Sequence, residues 1–189
     1  VQRIYVHHSI LEPFTERLKQ EVAQLKLGDP LHPETDVGCL VDEANAVRIV
    51  DWVNEAVQSG AELVCGGKRN GCQVEPTVLL KPQKQNKVVC EEVFGPVVSI
   101  ISYETIEQAI DESNDSSFGL QAGLFTNRMD IAYKVAHELE VGGVVINGTS
   151  NFRLDHWPYG GIKDSGVGRE GPRFAVEDFT EMKMIVFQF

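Results

Sequence analysis

The chain has 189 residues, of which 42% are hydrophobic and 24% are charged, and this composition excludes a disordered chain. Asp and Glu outnumber Lys and Arg by 28 to 17, giving a formal charge of −11. Because no basic cluster could neutralise a row of phosphates, the sequence also excludes nucleic acid as a partner.

No apolar run reaches the roughly 18 residues that a membrane helix needs, and residues 1–6 lack the apolar core of a signal peptide. We therefore expect a cytoplasmic protein without a membrane partner. The four cysteines, Cys39, Cys65, Cys72 and Cys90, form no CxxC pair and show no spacing typical of zinc ligands. This pattern predicts reduced thiols and no metal site.

In chain order, the first half predicts a strand at residues 4–6 and then a helix that ends at Gly28. Asp42 is the predicted N-cap of a second helix, which Gly60 ends. Three apolar strands are predicted at residues 63–64, 76–80 and 97–101.

The second half predicts a helix that opens at Thr105 in capping-box form and ends at Asn114. A strand at residues 119–125, a helix at 128–140 and a strand at 141–147 follow. Helices that alternate with short, continuously apolar strands predict an α/β domain. Its largely parallel sheet would carry helices on both faces.

The first candidate site is the segment Cys90-Glu91-Glu92-Val93-Phe94-Gly95-Pro96-Val97-Val98, named here the Glu92 corner. A Gly-Pro step has little side-chain bulk, so the backbone can pass close to a flat ligand while Glu92 and Phe94 project towards it. A carboxylate can accept both hydroxyls of a ribose, and a ring can cover the apolar face of a nicotinamide. The alternative is an exposed acidic turn beside a core phenylalanine.

The second candidate site is a long segment without periodicity at residues 148–168, named here the aromatic loop. Loops of this length in a compact domain are either functional or disordered, and Phe152, Trp157 and Tyr159 argue against disorder. The alternative is a surface loop held by its aromatic rings. At the end of the chain, residues 183–189 read as an apolar strand with no sequel to cover it, which predicts oligomerisation.

Three blocks, in this order, resemble the C-terminal portion of the aldehyde dehydrogenase superfamily. They are Glu91-Glu92-Val93-Phe94-Gly95-Pro96, then residues 118–126, then residues 147–170 with Tyr159-Gly160-Gly161-Ile162-Lys163-Asp164-Ser165-Gly166. The tail Phe179-Thr180-Glu181-Met182-Lys183 also resembles the family's approach to its closing strand. The resemblance implies a partial catalytic domain at residues 1–182 and an oligomerisation strand at 183–189.

The resemblance also implies a role for individual residues. Glu92 would hold the nicotinamide ribose, and Phe94 would pack beside the nicotinamide of NAD or NADP, which the missing part of the family's fold mainly binds. The residues implied to line the substrate tunnel are Phe152, Arg153, His156 and Trp157. The residues implied to lie at a dimer or tetramer interface are Arg169, Glu181 and Lys183.

The sequence departs from the family in having no Gly-Gln-x-Cys nucleophile, no glutamate base and no Gly-rich dinucleotide-binding region. Family members attack the aldehyde with that cysteine, pass hydride to NAD(P)⁺ and hydrolyse a thioester. Arg3 resembles the arginine just after the cysteine, which places the nucleophile a few residues upstream of Val1. The resemblance therefore implies no catalytic residue in this chain and an inactive fragment.

The side chains of the aromatic loop indicate the kind of aldehyde. Arg153 and His156 lie beside aromatic residues, and an arginine in a partly dry pocket needs an anion or hydrogen-bond acceptor. We expect a small polar or anionic substrate of the semialdehyde, lactaldehyde or glyceraldehyde type. The alternative is that Arg153 pairs with Asp155 or with a neighbouring subunit.

Two other functions stay open at this point. A complete cysteine enzyme would use Cys90 or Cys39, but Cys90 lacks a flanking base and Cys39 lies in an apolar run that predicts inert packing. A non-catalytic interaction module would pair with full-length subunits through residues 183–189. Within the enzyme interpretation, the sequence does not choose between NAD and NADP, or between hydrolytic and coenzyme A-acylating chemistry.

Overall fold

A computed structural model describes all 189 residues and contains six α-helices and ten short strands. The helices are α1 (Leu11–Val22), α2 (Glu43–Gln58), α3 (Lys87–Cys90), α4 (Ile106–Asn114), α5 (Met129–Glu138) and α6 (Pro172–Asp178). The strands are β1 (Arg3–His7), β2 (Glu62–Cys65), β3 (Arg69–Asn70), β4 (Gln73–Val74), β5 (Thr77–Leu80), β6 (Val97–Tyr103), β7 (Phe118–Gly119), β8 (Gln121–Leu124), β9 (Gly143–Ile146) and β10 (Ile162–Lys163). The chain forms two compact units, Val1–Ala109 and Ile110–Phe189.

The first unit is built on a four-stranded sheet in the order β1-β6-β5-β2. β6 is parallel to both β1 and β5, while β2 lies antiparallel to β5 at the edge. The sequence prediction of an α/β fold with a largely parallel sheet is confirmed. The antiparallel edge follows from the short connection through β3 and β4, because parallel neighbours need a longer crossover.

Helices cover both faces of this sheet. Val78 and Leu79 are adjacent in β5 and both are at most 1% exposed, so their side chains are buried on opposite faces. Val78 belongs to a core that includes Phe14 and Leu18 of α1. Leu79 belongs to a second core with residues of α2 and α3.

Helix α2 forms where the sequence predicts it. Asp42 is the N-cap, and its carboxylate accepts a hydrogen bond from the Asn45 N–H at 2.7 Å. Four residues with helical spacing are buried against the sheet, namely Ala46, Ile49, Val53 and Ala56. The chain leaves the helix through Gly60, whose φ of +108° suits glycine.

Helix α1 ends six residues before Gly28, so the prediction that Gly28 ends it is wrong. The Lys26 N–H donates instead to the Asp36 carboxylate at 2.9 Å, and Leu27 forms a bridge with Val37. These contacts hold residues 26–28 outside the helix, and Leu25, just before them, is 39% exposed.

In the second unit, β8 and β9 form a parallel pair and α5 contributes the buried Ala132 and Val135. The predicted strand at 119–125 is divided: β7 pairs antiparallel with β10, whereas β8 pairs with β9. The Gly119 N–H donates to the Ser165 hydroxyl at 2.9 Å, which fixes the first piece. Residues 180–189 form no helix or strand, and no helix of the structure has the length and apolarity to cross a membrane.

Candidate functional site

The Glu92 corner links the end of α3 to the start of β6. Val93 is 1% exposed and anchors the corner in the core, while the flanking Glu92 and Phe94 point outwards. Phe94 is 78% exposed with φ at +51°, so the alternative of a core phenylalanine is wrong. Glu92 is exposed and has no ion pair within the chain.

Two polar side chains hold the backbone of the corner from behind. The Gln2 amide donates to the Glu91 carbonyl at 2.6 Å and accepts from the Val93 N–H at 3.0 Å. The Arg48 guanidinium, which stacks on Trp52 at 4.4 Å, donates to the Val93 carbonyl at 2.8 Å. The peptide groups beside Glu92 are therefore fixed, although its carboxylate is left for another partner.

Gly95 lies against the core side of α2. A Cβ at this position would come within 2.4 Å of the Ile49 Cδ1 atom, and Ile49 is fully buried. Only glycine lets the chain turn this close to the helix without moving it. As a result, the Phe94 ring lies in solvent.

A shallow cavity of about 320 Å³ lies beside the Phe94 ring. Its lining residues are Cys39, Leu40, Val41, Asn45 and Phe94. An exposed carboxylate and an exposed ring on one rigid corner, next to an open cavity, can accept hydroxyl groups and cover a flat apolar ring.

The cysteines of this unit are free thiols. Cys39 is exposed, so the expectation that its thiol is packed away from solvent is wrong. A hydrogen bond with Cys72 raises the pKa of the Cys39 thiol, which disfavours the nucleophilic thiolate. The exposed Cys90 thiol donates weakly to the Gln85 carbonyl at 3.6 Å. Neither contact is typical of an activated nucleophile.

In the second unit, the aromatic loop is an ordered surface segment. The rings of Phe152 and Trp157 meet edge to face at 5.8 Å, and they are 50% and 45% exposed. The exposed His156 ring lies 6.0 Å from that of Trp157. The structure thus brings three of the four predicted substrate residues together as a partly open aromatic wall.

Arg153, the fourth, already has contacts within its own unit. Its Nη2 atom lies 2.9 Å from the Glu170 carboxylate, its guanidinium stacks 4.4 Å from the centre of the Tyr159 ring, and its Nε atom lies 3.9 Å from Asp155. Tyr159 and Glu170 exchange two backbone hydrogen bonds of 3.1 and 2.6 Å, which hold this arrangement. An anion that used Arg153 would have to share it with Glu170.

The three predicted interface residues are not ion-paired within the chain. Arg169 Nη1 donates to the carbonyls of Gly161 and Gly168 at 2.8 and 2.7 Å, beside a cavity of about 370 Å³. Glu181 and Lys183 are exposed in the segment without regular structure. Their roles at an interface stay predictions.

The comparison with known proteins decides the family. The model of the "Aldehyde dehydrogenase family" matches residues 1–185. The chain belongs to the aldehyde dehydrogenase family. It is 47% identical over 186 residues to the 3-sulfolactaldehyde dehydrogenase of Priestia megaterium, covering 98% of this chain and 39% of that protein.

Two solved aldehyde dehydrogenase structures have the same fold. Aldehyde dehydrogenase 21 from Physcomitrella patens, in complex with the reaction product succinate, matches with a TM-score of 0.97 and 39% identity, over 100% of this chain and 39% of that one. Glyceraldehyde-3-phosphate dehydrogenase GapN from Methanocaldococcus jannaschii, complexed with NADP, matches with a TM-score of 0.90 and 39% identity, over 94% of this chain and 39% of that one. The chain therefore spans about two-fifths of the length of these relatives.

The sequence analysis missed the residues that support the two candidate sites. Gln2 lies about 90 positions from the peptides it holds, and Arg48 lies on the helix that the apolar pattern identifies only by its buried face. Glu170 follows the aromatic loop and is one of many acidic residues. The signal that could have identified Gln2 is the pairing of β1 with β6, which the sequence analysis did not predict, because the Glu92 corner leads directly into β6.

Proposed function

We propose that this chain is part of an NAD(P)-dependent aldehyde dehydrogenase that oxidises a small polar or anionic aldehyde to a carboxylic acid. The observation that carries the proposal is the Glu92 corner, a fixed backbone with an exposed, unpaired carboxylate and an exposed ring. An exposed carboxylate alone is typical of a surface glutamate. The feature that favours a binding role is that the peptide groups on both sides of Glu92 are held by the Gln2 amide. The family assignment gives this arrangement its chemistry.

The residues of the corner fit the nicotinamide half of the cofactor. The Glu92 carboxylate can accept hydrogen bonds from two ribose hydroxyls, and the Phe94 ring can pack beside the nicotinamide. NAD(P)⁺, when bound, supplies the hydride acceptor. Gly95 allows the backbone to stay close to α2, so that the ring of Phe94 is presented rather than buried.

The aromatic loop supports the proposed substrate class. Phe152 and Trp157 offer apolar contact, while His156 and Arg153 offer donors to a carboxylate, sulfonate, phosphate or hydroxyl group. The Priestia relative is named for 3-sulfolactaldehyde, and the Physcomitrella structure holds succinate. Both compounds are anionic, which favours the same class here.

The nucleophile in this proposal is a cysteine a few residues upstream of Val1, and the glutamate base also lies outside the chain. An amide group and the N–H of the cysteine would stabilise the oxyanion of the thiohemiacetal. The chain on its own should then reduce neither NAD⁺ nor NADP⁺ with any aldehyde. Steady formation of reduced nicotinamide by the purified 189 residues would contradict this assignment.

The test of the proposed function uses the full-length protein. Lactaldehyde, succinic semialdehyde, 3-sulfolactaldehyde and glyceraldehyde 3-phosphate are compared with unsubstituted alkyl and aryl aldehydes of similar size by the absorbance of reduced nicotinamide. We expect kcat/KM to be highest for an anionic or hydroxylated aldehyde. A preference for simple alkyl or aryl aldehydes would refute the substrate class, and no activity with any aldehyde would refute the reaction.

The terminal segment supports assembly into a homo-oligomer. Met182, Phe187 and Phe189 are 102%, 77% and 116% exposed, and the backbone of residues 183–189 pairs with no strand of its own chain. An apolar extended segment of this kind gains both hydrogen bonds and burial when it pairs with a second copy. Replacing Ile185 and Phe187 by Asp should convert a dimer or tetramer into monomers in sedimentation; an unchanged oligomer would contradict the assignment.

The same exposed segment favours the second candidate function, a non-catalytic module that pairs with full-length subunits. The two functions differ in the reading frame upstream of Val1. A Gly-Gln-x-Cys motif within a few codons supports the enzyme, whereas an initiation codon at that point supports the module.

A further inference from the structure

The side chain of Gln2 forms hydrogen bonds with the peptide groups on both sides of Glu92. Its Nε2 atom donates to the Glu91 carbonyl at 2.6 Å and to the Val88 carbonyl at 3.2 Å, and its Oε1 atom accepts from the Val93 N–H at 3.0 Å. Both donors and one acceptor site of the amide are used. Of the common side chains, only an amide provides two donors and an acceptor at one end.

The backbone of Gln2 is fixed as well. Its carbonyl accepts from the Ser99 N–H at 2.8 Å, directly before the parallel register of β1 with β6 begins at Arg3 opposite Ser99. Gln2 therefore joins three segments of the first unit: the start of β1, the end of α3 and the Glu92 corner. It is half-buried, which strengthens hydrogen bonds relative to those in open water.

We infer that Gln2 is a positioning residue that fixes the Glu92 peptide relative to the start of β1, and thereby the cofactor ribose relative to the reactive thiol. The inference rests on the proposed function, which places that thiol a few residues before Gln2. Hydride transfer depends steeply on the separation of donor and acceptor, so a loss of this connection changes cofactor binding and the hydride step. We expect the thiol to keep its reactivity, because the three hydrogen bonds of the Gln2 side chain all go to peptide groups of Val88, Glu91 and Val93.

The test compares Gln2→Met, which keeps the length and packing of the side chain, with Gln2→Ala in the full-length enzyme. Gln73→Ala is the matched control, because the Gln73 amide makes one hydrogen bond, to the Gly28 carbonyl at 3.1 Å, and this glutamine lies outside the Glu92 corner. The readouts are the dissociation constant of NADH or NADPH from its fluorescence, the rate of the first turnover, and the rate of iodoacetamide alkylation of the catalytic cysteine.

Both Gln2 variants should bind the reduced cofactor about 10-fold more weakly and slow the first turnover, the scale of one or two lost hydrogen bonds to a partly buried peptide. Alkylation should stay within about twofold of the wild-type rate, and Gln73→Ala should change none of the three. If Gln2→Ala does not fold, Gln2→Met decides the question alone.

Unchanged cofactor affinity in a folded Gln2→Met enzyme would overturn the inference and leave the proposed function intact. An equal loss in Gln73→Ala would overturn it too, since the effect would then be general loosening of the unit. A wild-type enzyme that neither binds the nucleotide nor oxidises an aldehyde would instead refute the proposed function, and this inference with it.

Discussion

The Glu92 corner and the aromatic loop differ in how they hold their charged side chains. At the corner the backbone is tied by Gln2 and Arg48, and the Glu92 carboxylate is free. In the loop, Arg153 is itself engaged, by the Glu170 carboxylate at 2.9 Å and the Tyr159 ring. The internal contacts of the Glu92 corner therefore hold its backbone, whereas those of the aromatic loop neutralise its charged side chain.

This difference has an energetic meaning. A free carboxylate on a fixed backbone gives its full hydrogen-bonding strength to a ligand, because little order is lost on binding. An arginine that already has an anionic partner gives only the difference between the new and the old interaction. If Glu92 binds the cofactor and Arg153 the substrate, as proposed, substitution of Glu92 should have the larger effect on activity.

The largest expected effect follows from Glu92→Gln in the full-length enzyme. Gln keeps the shape of the side chain but loses the charge that strengthens hydrogen bonds to ribose hydroxyls. We expect kcat/KM for the nicotinamide cofactor to fall about 10- to 150-fold, the range for hydrogen bonds to a charged group. Initial rates at varied cofactor concentration give this value.

Glu91→Gln is the matched control for Glu92, since it removes an adjacent exposed carboxylate from the same corner. The Glu91→Gln substitution should change kcat/KM for the nicotinamide cofactor by less than about twofold. Equal losses at the two positions would show a general charge effect, and the corner would then no longer differ from an ordinary acidic turn.

The next effect concerns the rigidity of the corner. In Gly95→Ala the new Cβ would lie 2.4 Å from the Ile49 Cδ1 atom, and we expect the free energy of unfolding to fall by about 1–3 kcal/mol. Gly38→Ala is the control, because its Cβ would meet Pro30 at 3.4 Å, an ordinary contact. Urea denaturation measures both.

Ile49→Val removes the obstructing Cδ1 atom and makes the prediction sharper. Alone it should destabilise by about 0.5–1.5 kcal/mol, but together with Gly95→Ala the two losses should be less than additive. Strict additivity would mean that Gly95 is required for a reason other than its contact with α2.

The sequence predicted what depends on nearby residues and the family pattern. The N-cap at Asp42 and the buried face of α2 are set by residues three and four positions apart, so both were predictable. The outward projection of Glu92 and Phe94, just before the Gly95-Pro96 step, was also predicted, although their ligand stays a prediction.

Features that depend on distant residues were not predictable from local pattern. The end of α1 is decided by Asp36, ten residues beyond the Lys26 N–H that it accepts from. The partner of Arg153 is Glu170, seventeen positions away in the numbering and held there by the bridge to Tyr159. The terminal strand at 183–189 stays a prediction, because a strand needs a partner and the chain alone offers none.

A smaller effect is expected at Arg153, and its direction tests the pairing with Glu170. Arg153→Ala should lower kcat/KM for an anionic aldehyde by about 1 kcal/mol, roughly fivefold, because the exposed ion pair already uses part of its charge. Glu170→Gln should do the opposite and lower KM for the same aldehyde a few-fold. A neutral aldehyde of similar size should respond to neither change.

Arg128→Ala is the matched control in the same unit, since it breaks an exposed ion pair with Asp130 without touching the aromatic loop. If Glu170→Gln lowers kcat/KM for the anionic aldehyde as much as Arg153→Ala does, the two side chains act as a structural pair. The loop would then contribute only its aromatic rings to substrate binding, and of the two regions only the Glu92 corner would offer a charged group to a ligand.

The smallest expected effect is the pH dependence of α2, the helix that carries Arg48 and Ile49 behind the Glu92 corner. The Asn45 N–H donates to Asp42 and lowers the pKa of that carboxyl below its usual value. The carboxyl therefore binds protons less readily when folded than when unfolded. Its contribution to stability is fully present above about pH 4 and is lost as the pH falls through the lowered folded pKa.

Asp42→Asn isolates this contribution, because asparagine can also cap a helix but does not titrate. At pH 7 the variant should have a urea midpoint slightly below that of the wild type. As the pH falls below about 4, the wild type should begin to lose its advantage, while other carboxylates titrate alike in both proteins. A midpoint difference that is constant between pH 7 and pH 3 would show that the Asp42 charge does not stabilise α2, and the corner would then be held by its hydrogen bonds and packing alone.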